Sequence, residues 1–169
     1  MKKSAALSKL IEEYWQNHDV CCLEEDKYEC KTLEDCVRLG KKRHHRRMTE
    51  ETIVKTIKAL KKSNLHKKSF KDFDALYDSV NKTIREVDGI GQLAVYDISV
   101  RIGKKLLNPS IEPEKYVYLH RGALEGAKKL FGSSVKIEPR MPITDFPKEL
   151  QEMGSYHIEN FLCVMKGKL

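Results

Sequence analysis

Between residues 87 and 102 the chain reads Val87-Asp88-Gly89-Ile90-Gly91-Gln92-Leu93-Ala94-Val95-Tyr96-Asp97-Ile98-Ser99-Val100-Arg101-Ile102, a spacing suited to backbone recognition of a phosphate. Two glycines around one apolar residue let the main chain reverse tightly with positive φ, and Ile90 is expected to bury itself between the helices on either side. The N–H groups of the turn, with the free N–H groups and positive dipole end of a helix starting near Gln92, then form a site for a phosphate oxygen. Such a site reads backbone, not base sequence. An interhelical turn closed by a C-cap glycine uses the same residue types, so the pattern takes its weight from the amphipathic segments flanking it.

Charge is distributed to support the same contact. Residues 1–37 carry five bases and nine acids, residues 38–71 thirteen bases and two acids, and residues 72–169 fourteen of each. A single block therefore supplies the whole basic excess behind the net charge of +7, as expected of a phosphate-facing surface beside otherwise ordinary protein. It opens with KKRHHRR at 41–47, which brings Arg43, Arg46 and Arg47, and continues with Lys55, Lys58 and Lys62 on one outer helix face. A localisation signal, a solvated loop or a solvated lysine face are the other readings. His44 and His45 add charge only as pH falls towards about 6.5. Tyr77, Tyr96, Tyr116 and Tyr118 either stack on unpaired bases or, as the default, belong to the core.

Metal chemistry is the reading tempted by His18, Cys21, Cys22, Cys30 and Cys36. Structural zinc sites pair cysteines two to four residues apart, and this stretch offers only an adjacent pair and two singles. No metal is expected. Cys36 is expected to pack beside Leu33 and Val37 as a buried thiol. An odd cysteine count, five, in a chain of 169 residues makes free thiols the default.

The elements that must position these residues follow from apolar spacing. Leu7, Leu10, Ile11, Tyr14 and Trp15 predict a helix capped at Ser4, whereas 17–31 lacks such a pattern. Thr32 with Asp35 reads as a capping box that opens a short helix ending at Gly40. Thr49 caps the next helix, with Glu50 and Glu51 in its first turn and Ile53, Val54, Ile57 and Leu60 as its inner stripe. Ser69 is the expected cap of a longer helix lined by Phe73, Leu76, Tyr77, Val80 and Ile84, running into the turn at Asp88. Beyond the hairpin, a helix is expected from Leu119 to Phe131 with Gly132 ending it, then an extended connection through Pro139, Pro142 and Pro147. Asp145 and Ser155 can each start a short helix. The last helix presents Ile158, Phe161, Leu162 and Met165, which must pack back on the N-terminal helices.

Val87, Gly89, Ile90 and Gly91 resemble the helix-hairpin-helix superfamily, whose motif is an apolar residue, a variable one, then Gly-apolar-Gly opening a second helix. Val95 and Ile98 fall where that motif places a small or apolar residue and then an aliphatic one. The resemblance covers about a tenth of the chain and implies contact with a nucleic-acid backbone. More broadly, the segment Tyr116-Val117-Tyr118-Leu119-His120 is similar to that of base-excision DNA glycosylases, which place a catalytic Asp in an apolar-Asp-Thr-His segment after their hairpin. Val117 and His120 match, but the Asp position falls on Tyr118 and the Schiff-base lysine position on Leu93. Neither residue can do that chemistry. The cysteine group that holds an iron–sulfur cluster in some of these enzymes has no counterpart, since Cys163 stands alone. Asp97, Glu112 and Glu114 are the remaining nearby carboxylates able in principle to stabilise charge at a sugar. Asp97 is expected on an exposed helix face, Glu112 and Glu114 on a loop or helix N-terminus, and His120 in a packed or hydrogen-bonded role.

Together these features predict an all-α, multi-helix orthogonal bundle containing a helix-hairpin-helix. It is expected as a single domain: acidic N-terminal helices (1–40), a basic connector and helix (41–71), the hairpin pair (70–103) and C-terminal helices (104–169). The expected function is sequence-nonspecific binding of duplex DNA through Gly89, Ile90, Gly91, Gln92 and the basic face, in repair or DNA maintenance, with no cofactor and no conventional glycosylase catalysis. An unorthodox glycosylase or lyase and a helical protein-interaction module are the alternatives. No apolar run approaches the roughly 18 residues of a membrane span, and a cytoplasmic location is expected.

Overall fold

A computed structural model of the chain describes residues 2–26, 30–43, 48–132 and 136–169. It is mostly helical, in the order α1 (Lys2–Asp26), α2 (Leu33–Arg43), α3 (Glu50–Ser63), α4 (Phe73–Ile84), α5 (Gln92–Lys105), β1 (Tyr116–Tyr118), α6 (Arg121–Phe131), β2 (Arg140–Pro142), α7 (Lys148–Gln151) and α8 (Ser155–Met165). Two compact units emerge where the sequence suggests one: a central unit, Glu29–Glu112, and a terminal unit formed by Met1–Tyr28 with Pro113–Leu169.

In the central unit the helix starts are fixed by side chains, as helix termini require. At α2 the Asp35 carboxylate accepts the N–H groups of Thr32 (2.8 Å) and Lys31 (3.0 Å) while Thr32 Oγ1 accepts the Asp35 N–H (3.2 Å). That is the reciprocal capping box expected from the sequence. The helix nevertheless runs past Gly40 to Arg43, since one interior glycine costs only about 1 kcal/mol. Thr49 caps α3 by accepting the Thr52 N–H at 3.1 Å. Ile53, Ile57 and Leu60 are buried, but Val54 is 51 % exposed and Thr52 and Thr56 take its place inside. At 100° per residue Val54 lies roughly 130° from the centre of that stripe, and the Thr56 hydroxyl is satisfied by the Thr52 carbonyl at 2.7 Å. The cap of α4 is Asp72, which accepts the Ala75 N–H at 3.0 Å; the expected Ser69 sits three residues too early and is exposed. Phe73, Leu76, Tyr77, Val80 and Ile84 are all buried. Helix α5 packs against both α2 and α4, which explains why its buried residues, among them Ala94, Tyr96, Ile98, Val100 and Ile102, surround the helix instead of forming one stripe.

Hydrogen bonds from Thr32 hold the Asp35 carboxyl below its ordinary range, with the Lys31 and Thr32 backbone N–H groups acting the same way against desolvation. A carboxyl depressed on folding stabilises above its unfolded value and loses that contribution as pH falls through the folded one. Thr32→Ala is therefore expected to cost about 1 kcal/mol at neutral pH, and less as the solution is acidified below the ordinary carboxylate range. Urea midpoints of parent and variant at neutral and acid pH measure this. A difference independent of pH would show that the carboxylate has no share in the cap.

The terminal unit is mostly helical, as the all-α expectation has it, with one small two-stranded sheet added. Its 116–118 segment is a strand, β1, paired antiparallel with β2 in the register Tyr116↔Pro142, Val117↔Met141 and Tyr118↔Arg140. The following helix accordingly starts at Arg121, not Leu119, and ends at Gly132 with φ 64°. Helix α1 continues past the Leu7–Trp15 stripe to Asp26. As the apolar stripe of α8 requires, Ile158, Phe161, Leu162 and Met165 are buried, and Phe161 meets Tyr14 of α1 edge-on with ring centroids 5.6 Å apart. Helices α6 and α8 touch through Gly122 and Gly126, flanked by the fully buried Ala123 and Ala127.

Candidate nucleic-acid interface

The hairpin is built from α4, α5 and a turn that α3 holds in place. After Ile84 the chain turns through Val87, whose N–H donates to the Ile84 carbonyl (3.0 Å), and Ile90, whose N–H donates to the Val87 carbonyl (3.1 Å). Gly89 has φ +85°, the left-handed region that glycine enters without penalty. Gly91 does not: its φ of −96° and ψ of 164° are ordinary extended values. Only one of the two glycines is therefore needed for the reversal. Ile90 is half-buried, not buried as expected, and the turn is held by another group. Thr52 Oγ1 donates to the Asp88 carbonyl at 3.1 Å. Since that bond uses the single Thr52 hydroxyl proton, the 3.0 Å contact between the Thr49 and Thr52 hydroxyls is donated by Thr49. A Cβ on Gly89 would come within 2.9 Å of Thr52 Oγ1, so space as well as φ demands glycine there.

Gly91 is the N-cap of α5, with no side chain to bond the helix's first N–H groups. The first intrahelical bond is donated by Val95 to the Gly91 carbonyl at 3.1 Å, leaving Gln92, Leu93 and Ala94 without a partner inside the helix. A Cβ on Gly91 would meet no atom within 4 Å. The space beside this cap is open, and Gly91 and Gln92 are both exposed. The Gln92 side chain is held from the other side, where its Oε1 accepts the Tyr77 hydroxyl at 2.8 Å.

Lysines of α3 run away from this turn along the helix. Lys55, Lys58 and Lys62 are all exposed, but they are not equivalent. Lys55 is paired with Glu51 at 2.6 Å; that bond, with Asp88 adding to it, holds the ammonium above its ordinary pKa. Lys58 and Lys62 have no carboxylate partner among the described residues. On the flank towards α2, Arg38 bridges Glu34 (2.8 Å) and Glu50 (2.7 Å), and Lys61 lies 3.6 Å from Glu34. The basic block is therefore partly neutralised where it meets α2. Among the described residues no carboxylate pairs with Lys58, Lys62 or the following exposed Lys67, Lys68 and Lys71.

Of the other expected site residues, Arg43 ends α2, while Arg46 and Arg47, with His44 and His45, lie outside the described residues. Tyr77, Tyr96 and Tyr118 are buried and Tyr116 half-buried, so the first three offer no face for a base to stack on. Tyr118 instead lies under the Arg140 guanidinium, 4.8 Å from its ring centroid. Asp97 is not the exposed helix residue expected: its side chain is 16 % exposed and lies 3.8 Å from Arg101. Glu112 pairs with Lys104 at 3.4 Å. Glu114 is exposed in an irregular stretch, where its carbonyl accepts the Ser155 hydroxyl at 2.8 Å. His120 caps α6 without a side-chain cap bond.

Comparison of the chain with models of known protein families, with curated proteins and with solved structures finds no match in any of the three. No helix among the described residues is long and apolar enough to cross a membrane. Thr52 is the site residue that sequence reasoning missed. Its one sequence signal is a polar residue at an inward position of α3, three residues after a threonine cap.

Proposed function

We propose that the chain binds duplex DNA through the phosphate backbone, with the start of α5 and the lysines of α3 as one surface, in a DNA-maintenance role without glycosylase chemistry. The observation that carries this reading is the Gly91 cap. Neither its φ nor its neighbours require glycine, yet a glycine there leaves the first N–H groups of α5 without a side-chain acceptor, at the positive end of a helix where an anion is favoured. Its distance from the lysines is set by the bond from Thr52 to Asp88, which fixes the hairpin against the first turn of α3. At about 1.5 Å per residue, Lys58 and Lys62 lie roughly 9 and 15 Å along the helix from Thr52, a span that one stretch of duplex backbone can cover. The helix-hairpin-helix resemblance of Val87 to Ile98 points the same way. Carboxylate chemistry is disfavoured because Asp97 and Glu112 are each engaged by a cation and Glu114 stands on an exposed stretch.

Fluorescence anisotropy of labelled duplexes of unrelated sequence tests this. The duplexes should bind alike at low salt, with log K falling linearly against log salt by about 0.9 for each phosphate neutralised. Absence of binding at about 50 mM salt, or affinity indifferent to salt, would end the proposal.

A further inference from the structure

The tripeptide Lys-Lys-Ser occurs three times, ending at Ser4, Ser63 and Ser69. Ser4 stands in the acidic segment 1–37, whereas Ser63 and Ser69 both belong to the basic block. The fold treats these two differently. Ser63 is the last residue of α3 and half-buried, and its hydroxyl donates to the Leu60 carbonyl at 2.7 Å. That bond holds the hydroxyl against the helix's own last turn. Ser69 follows the single 3₁₀ turn Leu65–Lys67, in irregular chain. It is exposed, and its hydroxyl has no partner among the described residues. The backbone is extended on either side of it, at Lys68 (φ −94°, ψ 147°) and at Asp72 (φ −163°, ψ 176°). Because Asp72 caps α4, Ser69 has no part in starting that helix. Around it stand Lys67, Lys68 and Lys71, all exposed and none engaged by a carboxylate among the described residues.

We propose that Ser69 is a phosphorylation site, the acceptor for an ATP-dependent serine kinase with an acidic substrate groove, and that its phosphate weakens the duplex contact. Such an enzyme needs an accessible hydroxyl on a chain that lies extended across its active site, with cations nearby to meet the carboxylates of the groove. Ser69 Oγ attacks the γ-phosphorus of ATP; the new P–O bond forms as the bond to ADP breaks, and the hydroxyl proton passes to the base of the kinase. The product carries about −1.5 to −2 charges at neutral pH and three strong acceptor oxygens. Lys67, Lys68 and Lys71 lie within two residues, or about 7 Å of chain, so the new phosphate meets their ammonium groups and takes the place a DNA phosphate would hold. The effect on binding rests on the duplex reading above; the acceptor site itself does not.

The test incubates the folded full chain with ATP, magnesium and the catalytic subunit of the cyclic-AMP-dependent kinase, which selects basic residues ahead of its serine, and maps the phosphopeptides by mass spectrometry. Phosphate should enter Ser69 about tenfold faster than Ser63, whose hydroxyl is released only when the end of α3 opens. Ser69→Ala should fold, bind duplex DNA like the parent and lose that incorporation. Over a salt series the phosphorylated chain should bind duplex DNA about tenfold more weakly at about 100 mM salt, with a slope of log K against log salt shallower by about 0.9 for each lysine neutralised. Phosphate at Ser4 or Ser63 with Ser69 unmodified would overturn the proposal, as would a chain phosphorylated at Ser69 whose affinity and slope match those of the parent. Should the unmodified chain itself fail to bind duplex DNA, the duplex reading falls and the switch with it, while the phosphopeptide map alone decides the acceptor.

Discussion

Alanine in place of Gly126 is expected to destabilise the terminal unit by about 3 kcal/mol or more, the upper end of what overpacking costs. Alanine in place of Gly103 should do the same to the central unit. The direction is diagnostic, because in an exposed helix interior Gly→Ala gains about 1 kcal/mol of helix propensity. At Gly126, however, the new methyl would sit 2.1 Å from the Leu162 carbonyl oxygen, and at Gly103 it would sit 2.2 Å from that of Ile111. Both obstacles are backbone, so neither can swing aside as a side-chain tip would. Gly103 is tied further to its neighbour, since its carbonyl accepts the Ile111 N–H at 3.0 Å. Against a typical domain stability of about 5–15 kcal/mol, either change is a large share. Trp15, the one tryptophan, packs on Tyr14 and His157 inside the terminal unit, so its fluorescence reports Gly126→Ala there, while far-UV dichroism follows Gly103→Ala. A raised urea midpoint for Gly126→Ala would mean that α6 and α8 do not approach this closely.

These contacts also mark where the sequence stopped being informative. Periodicity locates α3, α4 and α8 because each buries one face, and the apolar residues on that face repeat along one chain segment. Caps were legible where the bond spans three residues, as from Thr32 to Asp35 or Thr49 to Thr52. Ser69 and Asp72 were both chemically suited to cap α4, and only the register of Phe73 against its neighbours selects Asp72. What one segment cannot carry is a partner far away in sequence. The bond from Thr52 to Asp88 spans 36 residues, that from Arg101 to Cys36 spans 65, and the pairing of β1 with β2 joins two three-residue strands whose composition signals nothing alone. Val54 shows the reverse case. An apolar residue beside a buried stripe is read as inside until the neighbouring threonines prove to be the buried ones. In the candidate interface, the glycines and lysines were visible as residue types. That Lys55 is already paired, and that Gly91 keeps open space with an unremarkable φ, belongs to the tertiary structure alone.

Those two facts sharpen the separation of backbone contact from charge. Gly91→Leu is expected to fold with a stability change within about 1 kcal/mol, since extended φ at an N-cap admits any residue and glycine there contributes only modestly. The leucine side chain would occupy the open space before Gln92, Leu93 and Ala94. Duplex affinity should therefore fall about tenfold, or 1.4 kcal/mol, while the slope of log K against log salt stays that of the parent. Lys58→Gln with Lys62→Gln should behave in the opposite way. Each lost phosphate contact makes the slope shallower by about 0.9, so the double variant should differ from the parent by about 1.8. Lys55→Gln should shift the slope less than either, because the Lys55 ammonium already answers Glu51. Gly89→Leu is the unsuitable comparison: it combines a positive φ with a clash against Thr52, and any loss of binding would follow loss of the turn. Titrating the three variants and the parent over a salt series, with circular dichroism as the folding check, separates the contributions. Should folded Gly91→Leu and the folded double-lysine variant both bind duplex DNA like the parent, neither the α5 cap nor the α3 face is the binding surface.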